Sequence, residues 1–93
     1  MNNRDEALQS IEAARSVLER LPEAACRLDI SCYNKHSDIQ FFRDSFDAAC
    51  KAFPFVTPTR VPHGDSKEYD AEEFYVDGVR LFRLVKKEEN EHG

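Results

Sequence analysis

The sequence has no tryptophan, one methionine and three glycines in 93 residues. So few glycines leave no room for a phosphate-cradling Gly-rich loop, and none sits where an oxyanion hole would need it beside a nucleophile. No apolar run approaches the ~18 residues of a membrane helix. The opening Met1-Asn2-Asn3-Arg4-Asp5-Glu6 is not followed by the apolar stretch of a signal peptide. The chain is therefore expected in the cytoplasm, where thiols stay reduced. Basic residues are also scarce, with 13 Lys and Arg against 18 Asp and Glu and a formal charge of −5. They form no cluster, which argues against direct contact with a phosphate backbone and leaves a protein partner with a basic surface as the electrostatic match.

The cysteines Cys26, Cys32 and Cys50 do not fall in the close pairs of a structural zinc site, and His36 and His63 do not complete one. Their positions in the apolar pattern place all three on core faces as buried thiols. If Cys26 and Cys32 share a strand, ~20 Å separates them, far beyond disulfide reach. Cys32 and His36 form a conceivable nucleophile–base pair across a turn, but no acid is placed to orient the histidine. The expectation is a protein that is not an enzyme and holds no metal and no cofactor.

What is present is an apolar fraction of 41% that includes seven phenylalanines, enough for one core. Residues 1–93 are read as a single domain, with 1–3 and 87–93 expected to fray. A helix is predicted from about Asn3 to Leu21, with Asn3 and Glu6 as a capping box and Leu8, Ile11, Ala14, Leu18 and Leu21 as its apolar stripe. Cys26 to Asn34 alternate like a half-buried strand. A second helix is predicted from Asp38 to Phe53, capped by Ser37, with Ile39, Phe42, Phe46, Ala49, Cys50 and Phe53 on one face. Phe41 lies off that stripe. Pro54, Pro58 and Pro62 mark Phe55 to Val61 as a candidate edge strand, with an extended segment outside the sheet as the alternative, and His63 to Asp70 follow as a polar loop. Glu72 to Val76 and Val79 to Lys86 flank Asp77-Gly78, the signature of a two-residue hairpin. That turn pairs Val76 with Val79, Phe74 with Leu81 and Tyr75 with Arg80.

The fold class is thus α+β in the order α-β-α-β-β-β, a mainly antiparallel sheet of three to four strands on one or two helices. One sheet face is apolar and packs on the second helix. The other mixes Tyr33, Tyr75, Phe82 and Leu84 with Arg27, Asp29, Glu73 and Arg80, the composition of a protein interface. The first helix either covers this mixed face or lies beside the second helix and leaves it open. A second candidate surface is the acidic stretch Asp65, Glu68, Asp70, Glu72, Glu73 and Asp77. It lacks the ligand alternation of a calcium loop but could dock on Lys and Arg of a partner.

Three segments carry a resemblance. They are Leu28-Asp29-Ile30-Ser31-Cys32-Tyr33, the helix with Phe41-Phe42, and the hairpin Glu73-Phe74-Tyr75-Val76-Asp77-Gly78-Val79-Arg80-Leu81-Phe82. Their layout resembles small single-domain phage and prophage proteins, some of them anti-CRISPR or related anti-defence inhibitors. The resemblance implies a binding protein acting in a host cytoplasm that blocks a nucleic-acid-handling effector. It transfers no site residues. The expected contact set is Asp65, Glu68, Asp70, Glu72, Glu73, Tyr33, Tyr75, Arg80 and Phe82. The alternatives are a homo-oligomeric accessory protein, such as a homodimer paired through the aromatic face or the proline-marked edge, and a small enzyme using Cys32 and His36.

Overall fold

The computed structural model describes residues 3–32 and 36–87. Helix α1 (Asn3–Leu18) is followed by a 3-10 turn (Glu23–Ala25), strands β1 (Leu28–Cys32) and β2 (Ser37–Phe41), helix α2 (Ser45–Ala52), and strands β3 (Thr59–Pro62), β4 (Tyr69–Val76) and β5 (Val79–Lys86). The five strands form one mixed sheet in the order β1-β2-β5-β4-β3. The β2–β5 pair is parallel; the other three are antiparallel. The α+β class holds, but the sheet has five strands rather than three or four.

The extra strand corrects the start of the predicted second helix. Ser37, Ile39 and Phe41 are buried while Asp38 and Gln40 between them are half-buried, a period of two. Phe41, the residue left off the helical stripe, is 2% exposed, whereas Phe42, on the stripe, is 39% exposed. Arg43 takes a left-handed φ of 55° and turns the chain out of the strand. The helix that follows begins at Ser45, not at Asp38. Ser45 Oγ accepts a hydrogen bond from the Arg27 N–H at 3.0 Å, which joins the helix start to the approach of β1.

Phe46 of α2 is the centre of the core. Its ring lies 6.1 Å from Phe41 and 5.7 Å from Phe74, and Phe53 lies 6.2 Å from Phe74, within the range of favourable aromatic pairs. Val17 of α1 is buried in the same cluster, with Ile39, Val79 and Leu81. Both helices therefore share one face of the sheet. The predicted stripe on α1 holds in part: Leu8 and Ile11 are exposed, and the buried positions are Ser10, Ala14 and Val17. Ala14 of the predicted stripe is buried, and Leu18 and Leu21 pack against the core, so the departure is confined to Leu8 and Ile11 in the first half of the helix.

The closing hairpin has the predicted register, with Val76 opposite Val79, Phe74 opposite Leu81 and Tyr75 opposite Arg80. Asp77 (φ 52°) and Gly78 (φ 82°) supply the two left-handed residues that a type I′ turn requires. The proline-rich segment forms β3 at the sheet edge, shorter than predicted, at Thr59–Pro62. The thiols depart from expectation. Cys26 and Cys32 are exposed and Cys50 is half-buried. Cys32 ends β1, itself an edge strand with little cover, and Cys26 lies just outside it after the 3-10 turn. No helix among the described residues is long and apolar enough to cross a membrane.

Candidate partner-binding face

Alternation along each strand sends Asp29 and Ser31 of β1, Asp38 and Gln40 of β2, Arg80, Phe82 and Leu84 of β5, and Tyr69, Glu73 and Tyr75 of β4 to the face opposite the helices. The parallel register places Asp38 beside Arg80 and Gln40 beside Phe82. Among the described residues no helix covers this face, and Tyr75 is 55% exposed on it.

Arg80 organises the face. Its Nε donates to Glu73 Oε1 at 2.6 Å, and its Nη1 lies 3.5 Å from Asp38 Oδ2. Its guanidinium carbon sits 4.0 Å from the centroid of Phe82, a close cation–π contact. His63 stacks on the same ring, with centroids 6.2 Å apart and planes 24° from parallel. Together they bury Phe82 to 6% exposure although no described element lies above it. Beside this stack is a recess of about 250 Å³ lined by Asp29, Ser31, Asp38, Gln40, His63, Arg80 and Phe82. Asp38 and Glu73 share the Arg80 guanidinium, and Asp29, which also lines the recess, has no ion-pair partner among the described residues. The recess keeps an excess of negative charge and of hydrogen-bond acceptors, which suits a cationic side chain.

The expected contact residues do not form one patch. Tyr75, Arg80, Phe82 and Glu73 share the open face. Asp70 and Glu72 point to the helix side, because neighbours along β4 alternate. There Asp70 is tied to Arg60 at 3.0 Å and to Lys87 at 3.9 Å, and Glu72 to Arg83 at 2.6 Å. Asp65 and Glu68 are exposed in the loop before β4, without ion pairs among the described residues. Tyr33 lies outside the described residues, as do residues 34–35, where a turn was expected, and residues 88–93. Cys32 and His36 lie on either side of residues 33–35.

Asp38, Gln40 and His63 were missing from the expected set. The first two fell inside the predicted helix, and His63 in a loop. The signal was there: Ser37 to Phe41 alternate as cleanly as the strand before them. Among the described residues no three His, Cys, Asp or Glu are grouped as metal ligands. No family model, no curated protein and no solved structure matches the chain.

Proposed function

We propose that the protein is a non-catalytic binding domain whose open sheet face seats a basic segment of a partner protein. The observation that carries this is the uncovered face itself, where the exposed Tyr75 and Tyr69 lie on the same side as a recess with a surplus carboxylate. Aromatic side chains supply contact area at low entropic cost, and the Asp29–Asp38 side takes a Lys or Arg. Asp65 and Glu68 are free to add longer-range attraction. Following the resemblance to small phage proteins, the partner would be a nucleic-acid-handling defence effector of a host cell. Inhibition would come from occupying its basic surface in the host cytoplasm.

Capture from the native host, read by mass spectrometry, tests this with four proteins: wild type, Tyr75→Ala, Asp29→Lys and, as a control on the far side of α2, Lys51→Ala. The expected result is a partner retained by Lys51→Ala and lost with both open-face variants. Its affinity should fall steeply with added salt. Identical capture by all four would sink the proposal, and an affinity flat in salt would remove its electrostatic part.

A further inference from the structure

The two edges of the sheet are built differently. β3, at one edge, is four residues long, ends at Pro62 and is preceded by Pro58, and such prolines discourage further strand pairing. β1, at the other, has five residues with no proline and no Lys or Arg. Its free backbone groups can be identified. The Arg27 C=O accepts from the Phe42 N–H at 2.9 Å, so Arg27 faces β2. In an antiparallel ladder this orientation alternates. Asp29 and Ser31 therefore also turn their N–H and C=O groups to β2, while Leu28, Ile30 and Cys32 turn theirs outward. Among the described residues no strand lies beyond β1.

The same five residues are self-complementary. An antiparallel copy related by a two-fold axis through Ile30 places Ile30 against Ile30, Leu28 against Cys32 and Asp29 against Ser31. Every outward N–H then meets an outward C=O, and no like charges oppose each other. On the helix side the axis brings together two copies of Ile30, each 42% exposed in the isolated chain. Leu8 and Ile11, 51% and 47% exposed, lie on the helix that packs against β1 and β2. We propose that β1 is a dimerisation edge and that its occupant is the β1 strand of a second copy, giving one continuous ten-stranded sheet. This is independent of what the open face binds.

The test begins with wild-type protein. Sedimentation over a wide concentration range should give a monomer–dimer equilibrium. Amide exchange should show Leu28, Ile30 and Cys32 becoming protected as concentration rises, with Asp29 and Ser31 protected throughout. A strict monomer, or exchange at Leu28, Ile30 and Cys32 that ignores concentration, overturns the proposal without any variant. Ile30→Lys sets two like charges at the axis and should raise the dimer dissociation constant by on the order of 100-fold. Ile30→Glu should do the same, and an equimolar mixture of the two variants should reassociate. A dimer insensitive to both variants would place the interface elsewhere, and failure of the mixture to reassociate would refute the two-fold through Ile30.

Discussion

Arg80 is the residue on which the open face turns. Its side chain is 18% exposed, and its partners Asp38 and Glu73 are 19% and 17% exposed. Removing it would leave two half-buried carboxylates facing each other with no cation and uncover the Phe82 ring. Arg80→Ala should therefore destabilise the fold by about 2 kcal/mol, between the values for exposed and fully buried pairs. Glu73→Gln, which leaves Asp38 in place and keeps a hydrogen-bond acceptor, should cost less than half as much. Urea unfolding of the two variants checks the order. Cys50 is a residue-scale contrast. Burial first, then the charge of Asp47, raises its thiol pKa above the ordinary value; Arg83 opposes the rise and Glu72 adds to it. The folded state thus disfavours the thiolate, and this contribution to stability is present at neutral pH and lost as pH climbs through the thiol range. Because the thiolate is the reactive form, Cys26 and Cys32 should alkylate at mildly alkaline pH before Cys50, by roughly tenfold in rate. Mass spectrometry over a time course of alkylation reads this directly.

At the scale of elements, β2 decides the architecture. Its identity as a strand predicts opposite fates for two adjacent phenylalanines. Phe41→Ala should cost about 3–5 kcal/mol, the usual loss for a fully buried aromatic, while Phe42→Ala should cost under about 1 kcal/mol. Thermal unfolding distinguishes these, and equal costs would contradict the strand. The same segment explains what could be read from the sequence. The hairpin of β4 and β5 was legible down to its register, because strict alternation and Asp77-Gly78 agreed. Residues 37–53 were not, because Ile39, Phe42 and Phe46 also satisfy a helical spacing, and a longer helix absorbed a short strand. The candidate site divided along the same line. Tyr75, Glu73, Arg80 and Phe82 share a hairpin face, so local periodicity found them together. Asp38 and Gln40 reach them only through the parallel β2–β5 pairing, and periodicity carries no information about which distant strand will be a neighbour.

The described residues form an elongated body, with extents of 51 × 29 × 21 Å. The helices cover the inner face where Phe74, Val76, Val79 and Leu81 are buried. Beyond Phe46, on whose ring Arg83 rests at 5.0 Å, that face is held largely by charge: Glu72 with Arg83, Asp47 with Arg83, and Asp70 with Arg60 and Lys87. Each such pair is weak singly, worth about 0.2–1 kcal/mol when exposed. About 1 M salt shortens the screening length to about 3 Å. It should therefore speed amide exchange in residues 69–72 and 83–86 by a few-fold while leaving 74–81 unchanged. Uniform behaviour along the hairpin would mean that the pairs add nothing.

β5 has one more consequence, which concerns order in time. It stands third of five in the sheet, between β2 and β4, yet follows both in the chain. On a ribosome, β1–β2 and β3–β4 emerge as two separate ribbons with no common neighbour, and Ile39 and Phe74 wait for Leu81. The sheet cannot grow outward strand by strand during translation. It closes only once the segment from Val79 onward is free of the exit tunnel, because β2 and β4 meet through β5 alone.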